Sequence, residues 1–449
     1  MRLVKIFLLS SLVLGGLAVG ALATRWYLDE NADVTSAASQ YDPTAKEGRA
    51  SRAQTTERVI RNLQTSLEKN PHNSQQWALL GAAFLQRVRE NGDPSNYSRA
   101  EQAFQKALEL DQNNFLAVGG MGGLKLAQHQ FREAIVWGER AAQLNPDNAG
   151  LYGVLGDAQL ELGEYDAAFK HFQTMVDTRP DLSSYARVSY ARELVGDRAG
   201  ALENMERAVN AGAANSEARS WALVQLGNLY FGQGDLENAR SAYQAALQNW
   251  NDYPYARGGL AQVYAAQGDY AQAIQTYTRL LETIPLPEFV IGLGDVYQVS
   301  GDNANAQKQY ALVAAMQQLA SANGVDTDAE LALFNADHKM DLNHTLELAK
   351  RAYEKRPGIF VADTLAWTYY QRGDYKNAEE YIEKALSLGT QNALLLYHAG
   401  MIQVALGNAA RGRELLERAL ELNPHFSLRY APGARLMLEE LRAQHNANP

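Results

Sequence analysis

The sequence predicts an all-α protein, a superhelical α-solenoid of stacked antiparallel helix pairs. Three observations lead there. Alanine, leucine, glutamine, glutamate and tyrosine dominate the 449 residues, while runs of valine, isoleucine and threonine with period-two alternation are scarce. Glycines recur at a fixed distance: Gly234 to Gly268 and Gly373 to Gly407 are each 34 residues apart. A fixed period of this size marks a repeat array rather than a string of globular domains. Around these glycines the apolar residues fall at helical spacing, closing one helix before the glycine and opening another after it.

The first expected element lies at residues 1–24. Arg2 and Lys5 precede an uncharged run over residues 6–24, so the basic start is expected to stay in the cytoplasm while the uncharged run crosses a membrane. Two readings stand side by side. Ala21, Leu22 and Ala23 suit cleavage of a signal peptide after Ala23, with residues 6–17 as its apolar core. The same run suffices for a retained membrane anchor, with Arg25, Trp26 and Tyr27 at the outer headgroup layer. Both put the rest of the chain outside the cytoplasm, either anchored or periplasmic or secreted. Residues 25–52 have few large apolar side chains and no helical stripe, which reads as a flexible linker.

The repeats come next. In "DTLAWTYYQRGDYKNAEEYIEKALSLG", from Asp363, a first helix ends at Gly373, and Ala378, Ile382 and Ala385 share one face of a second. The same frame places Gly156, Gly163, Ala168, Phe172 and Pro180, then Gly227, Tyr230, Gly234, Ala239 and Tyr243, then Gly294, Tyr297, Gly301, Ala306 and Tyr310. Each choice has a physical reason. Small residues such as Gly156 let two helices approach closely. Gly163, Gly234, Gly268, Gly301, Gly373 and Gly407 close the first helix in a left-handed conformation. Asp197, Asp235, Asp269, Asp302 and Asp374 stand where they can cap the second helix. Pro146, Pro180, Pro285, Pro357 and Pro424 stop it.

These residues resemble the tetratricopeptide repeat family. The resemblance covers about four-fifths of the chain. It implies a right-handed superhelix whose first helices line a concave groove, and it implies protein partners. About ten pairs are expected between Ser74 and Pro424, as one array over residues 53–322 and a second over 323–449. Residues 53–70 read as a lone capping helix and "PGARLMLEELRAQH" as the final one. Three departures from the frame stand out. Residues 87–98 lengthen the first turn, residues 210–219 lengthen a link, and the helix after Gly301 overruns to Ala322 with Gly324 as its cap. Lys339 takes a turn-glycine position, and a break in the superhelix is expected near 320–330.

Chemistry is sparse. With no cysteine, disulfides, thiolate metal sites and a cysteine nucleophile are excluded. The glycines of "LAVGGMGGLKLAQHQ" suggest a phosphate loop, but no strand precedes them and no Lys-Ser or Lys-Thr comes after. Gly122 lies 34 residues before Gly156 and takes the small helix-packing position. Gly119, Gly120 and Gly123 are not demanded by the repeat. Neither His338 with His344 nor His398 with His425 shows the spacing of a zinc protease. No cofactor, metal or enzyme activity is expected, and the net charge of −10 speaks against a nucleic-acid partner.

The expected function is a non-enzymatic protein–protein interaction scaffold, tethered by residues 6–24 or exported, and an assembly factor as a special case. Its groove candidates are Asp157, Tyr190, Trp221, Asn228, Phe231, Tyr255, Phe360, Trp367, Tyr370 and Tyr397. The competing reading for each aromatic is packing between repeats. The family's carboxylate clamp for chaperone tails is not matched: Asn228 has no lysine pair beside it. The alternative function is a small-molecule- or metal-binding enzyme domain. One dominant closed pocket would favour it, and a continuous open groove would favour the scaffold.

Overall fold

The computed structural model describes residues 49–447, so the expected signal peptide or anchor at 1–24 lies outside the described residues. Within them are 22 helices and no strand. A lone helix α1 (Arg49–Lys69) precedes ten pairs, beginning inside the stretch expected as linker. The pairs are α2 (Ser74–Asn91) with α3 (Ser95–Leu110), α4 (Phe115–Ala127) with α5 (Phe131–Leu144), and α6 (Ala149–Glu161) with α7 (Tyr165–Thr178). Next come α8 (Leu182–Leu194) with α9 (Arg198–Ala211), α10 (Glu217–Gly232) with α11 (Leu236–Asn249), and α12 (Pro254–Ala266) with α13 (Tyr270–Thr283). Then there are α14 (Pro287–Val299) with α15 (Asn303–Ser321), and α16 (Asp328–Asp337) with α17 (Leu342–Lys355). The last are α18 (Ile359–Gln371) with α19 (Tyr375–Ala385), and α20 (Ala393–Ala405) with α21 (Ala409–Leu422). A final helix α22 (Ala431–Ala447) covers the end.

The turn chemistry is local. Gly163, Gly234, Gly268, Gly301, Gly373 and Gly407 all have φ between +75° and +88°. Asp197, Asp235, Asp269, Asp302 and Asp374 each accept a backbone N–H in the first turn of the following helix. Two turns manage without glycine: His129 (φ 59°) and Lys339 (φ 53°) take the left-handed conformation. The insertion at 87–98 differs from its expected form. It is absorbed mostly by extending α2 to 18 residues, capped by Gly92 at φ 71°, because its Arg-Val-Arg-Glu run favours helix over loop.

The pairs lock through aromatic rings laid on glycines. Phe104 of α3 lies against Gly81 of its own pair and Gly120 of the next; a Cβ on either would sit 2.6 or 2.4 Å from the ring. Tyr243 of α11 does the same between Gly227 and Gly259, at 2.5 Å from each. This corrects the reading of the glycine cluster. Gly120 is the tight position, whereas a Cβ on Gly119 would meet only Leu151 at 3.7 Å. Lys125 is buried, with its ammonium 2.9 Å from Glu101 and 3.6 Å from Glu133. It ties neighbouring pairs together and faces no phosphate site.

The array winds far enough for its coils to meet. Asp326 donates its N–H to Gln128 O, and the His129 ring N–H donates to Asp326 O at 2.8 Å. Tyr165 accepts the N–H of Ile359 at 2.7 Å, the Thr390 hydroxyl donates to Leu194 O, and Asn423 donates to Phe231 O at 2.8 Å. The side-chain partners in this seam are 192 to 197 residues apart, so one turn takes about six periods of 34 residues. Turns between the helices of one pair thus meet the links that come after later pairs. Buried ions complete the seam: Arg356 lies 2.5 Å from Glu330 and 3.7 Å from Glu161.

One joint is looser. Between α15 and α16 the close backbone approach of the other junctions is lost. Side chains bridge it instead, with the Tyr310 and Phe334 rings 5.8 Å apart. Gly324 lies just beyond α15 at φ 83°.

Candidate functional site

Because the coils meet, the concave surface is the wall of a lumen. Its cavity has a volume of about 510 Å³. The first helices supply most of the wall, from Asp157 of α6 through Trp221 of α10 and Asp295 of α14 to Leu394 of α20. Among second helices only α9 and α15 reach it. The amphipathic logic is simple. Each second helix spends its apolar face on its partner and on the next pair, which leaves the free face of the first helix pointing inward.

Six of the groove candidates line this cavity: Asp157, Tyr190, Trp221, Asn228, Phe231 and Phe360. The other four lie outside it. Trp367 is 1% exposed, stacked on His398 at 4.0 Å and on Tyr370 at 4.6 Å. Its indole N–H donates to Asp337 at 3.0 Å. Tyr397 packs on Tyr430 at 5.1 Å, and Tyr255 on Phe289 at 6.3 Å. Trp367, Tyr397 and Tyr255 pack between repeats, and Tyr370 packs within its own pair, on Trp367 and Tyr375.

The wall is polar as well as aromatic. Arg187 donates through Nε to Asp157 Oδ1 at 3.1 Å and through Nη2 to Oδ2 at 2.9 Å, and both residues are buried. Arg429 lies 3.0 Å from Asp295 Oδ1, which also accepts from Tyr310 at 2.7 Å. Asp337 accepts from Tyr430 at 2.8 Å, and Asp363 faces the His398 ring nitrogen at 3.0 Å. Burial pushes the Asp157 carboxyl up to about 6 despite Arg187. Burial alone pushes Glu193 up to about 7. Among the described residues no group of three or more histidine or carboxylate side chains converges as a metal site.

Sequence reasoning missed Arg187, Glu193, Arg198, Glu330, Asp337 and Asp363 on this wall. One signal was available: Arg187 comes 30 residues after Asp157, nearly one period, with the opposite charge. Asp363 and His398, 35 residues apart, repeat it, whereas Asp337, whose partner Tyr430 is 93 residues away, left no such trace.

Two family models, both described as Tetratricopeptide repeat, match residues 125–191, 224–286 and 369–432. These three segments match the tetratricopeptide repeat family. The chain's all-α repeat fold carries the same pair frame through the parts between them. Solved structures of similar fold include the human IFIT1 dimer with m7Gppp-AAAA, at 17% identity and TM-score 0.47, covering 74% of this chain and 76% of that one. The APC/C hetero-tetramer Cut9–Hcn1 is similar at 14% identity and TM-score 0.44, covering 82% and 64%. A tetratricopeptide repeat protein from Parabacteroides merdae is similar at 19% identity and TM-score 0.35, covering 58% and 98%. Among curated proteins none matches. No described helix is long and apolar enough to cross a membrane.

Proposed function

We propose that the chain is a non-enzymatic scaffold, placed outside the cytoplasm by residues 1–24, that takes a segment of a partner protein into its lumen. An assembly factor for membrane or envelope proteins is the narrower form of this reading. The observation that carries it is the wall of the lumen. Trp221, Phe231 and Phe360 line it together with Asn228, Gln225 and Gln262, a mixture of aromatic anchors and amide hydrogen-bonding groups that suits an extended chain. The acidic side chains at Asp157, Glu193, Asp295, Glu330 and Asp363 argue against nucleic acid, whose phosphates need a basic lining.

The test compares partners captured by the wild-type chain and by a variant with Trp221, Phe231 and Phe360 all changed to alanine. The expected result is loss of a specific partner while circular dichroism shows the helices retained. Identical partners for both proteins would rule out the lumen as the binding surface.

A second reading has its own observation. The cavity volume of about 510 Å³ falls inside the usual range for small-molecule sites. Native mass spectrometry of the purified chain separates the two: a stoichiometric small ligand lost in the triple variant would favour this second reading over the scaffold.

A further inference from the structure

Two charged side chains of opposite sign in the lumen have no partner among the described residues. Glu193 stands near the end of α8 and Arg198 at the start of α9, on either side of the Gly196 turn. Both line the cavity. Asp157, Asp295, Glu330, Asp337 and Asp363, the other carboxylates of the wall, each face a hydrogen-bonding or ionic partner. Among the described residues the Glu193 carboxylate has none. The Arg198 Nε is buried and also lacks one. Both residues are half-buried, so their charged ends can be reached from the cavity.

The turn between them is pinned from the second coil. The Thr390 hydroxyl donates to Leu194 O. Gly196 has φ +80° and lies so close to Gly389 that a Cβ would sit 2.6 Å from the Gly389 carbonyl oxygen. Glu193 and Arg198 therefore spring from a fixed backbone. Tyr190, one helical turn before Glu193, lines the same cavity, and its hydroxyl makes no hydrogen bond among the described residues. Phe360 from α18 packs in the same cluster as Tyr190. An unpaired carboxylate beside aromatic rings favours a cation on its approach side. The Arg198 guanidinium makes no hydrogen bond among the described residues, and its terminal nitrogens offer donors to an oxygen.

We propose that the partner segment brings a lysine or arginine side chain to Glu193 and a backbone carbonyl or carboxylate oxygen to Arg198. This rests on the scaffold reading and narrows it to a segment bearing a basic residue. The lining runs along the first helices from α6 to α20, a longer track than a free amine needs, which favours a chain over a small ion.

The experiment is isothermal titration of the full-length protein with three probes. They are an end-blocked pentapeptide Ala-Lys-Ala-Leu-Ala, the same peptide with norleucine for lysine, and butylamine. The proteins are wild type, Glu193→Gln, Glu193→Asp and Arg198→Met. The lysine peptide is expected to bind wild type and Glu193→Asp, and to weaken roughly tenfold or more on Glu193→Gln. Arg198→Met weakens both peptides alike. Equal binding of the two peptides, unchanged binding by Glu193→Gln, or no peptide binding would overturn the proposal. Butylamine binding as tightly as the peptide would reassign the pocket to a small amine and overturn the segment. If captured partner survives Glu193→Gln in full but is lost in the triple alanine variant, the charge assignment falls and the scaffold reading stands.

Discussion

At the residue scale the array depends on a few positions where one atom decides the packing. Gly120 and Gly119 are neighbours in sequence but not in environment. A methyl group on Gly120 would overlap the Phe104 ring at 2.4 Å, so Gly120→Ala is expected to destabilise by about 1–3 kcal/mol. Gly119→Ala meets only Leu151 at 3.7 Å and replaces a helix-interior glycine, so it is expected to stabilise by up to about 1 kcal/mol. Urea denaturation of the two variants reads the difference. Lys339 is exposed and holds φ at 53°, a conformation that costs a side chain about 1 kcal/mol or more. Lys339→Gly should therefore raise the denaturation midpoint.

Glu193 gives the pH prediction. Its folded carboxyl is raised from 4.5 to about 7 by burial, so the folded state binds its proton more tightly than the unfolded state does. The resulting penalty is absent below pH 4.5 and grows as pH rises through 7, reaching at most about 3 kcal/mol. Glu193→Gln should therefore stabilise the unliganded protein at pH 8 and leave it unchanged at pH 4.5. Melting curves at the two pH values would show this. The period in the sequence singled out Gly122, where a Cβ would meet its nearest neighbour, Val154, at 3.4 Å. It could not find Gly120, because the ring that presses on it belongs to the preceding pair.

At the element scale the seam between coils lines the lumen, and part of it is ionic. Arg356 is 3% exposed between Glu330 and Glu161. Arg356→Met would leave two carboxylates buried with reduced compensation, and should cost about 3–5 kcal/mol. Arg351 pairs with Asp328 on the surface, its side chain 47% exposed, so Arg351→Met should cost at most about 1 kcal/mol. Thermal denaturation of the two single variants checks the contrast. Turn glycines, aspartate caps and stop prolines were legible in the sequence because each acts within a few residues. The seam was not. Its partners are nearly 200 residues apart, and nothing in a single repeat says how many repeats complete a turn. Lys339, in a glycine position, belongs to the pair that comes after the loosened joint between α15 and α16.

At the scale of the whole molecule, winding converts an expected groove into a lumen, and this changes what a partner must do. A segment entering between coils would have to part contacts such as Thr390 to Leu194 and Asn423 to Phe231. A segment threading from an end would not. The aromatic positions Tyr190, Trp221, Phe231 and Phe360 were legible in the sequence, since periodicity fixes which face of a first helix is free. Their separation from Trp367 and Tyr397 was not, because it depends on where α22 and the link before it fold back, and Tyr430 covers both. The most direct measurement is site-specific photo-crosslinking of the full-length protein in its native cells, with a photoreactive phenylalanine at Phe231 in the lumen or at Val136, which is 64% exposed on α5. A discrete crosslinked protein is expected from position 231 and none from 136. A discrete product from 136 alone would contradict binding in the lumen, and would place the partner on the outer face of the superhelix.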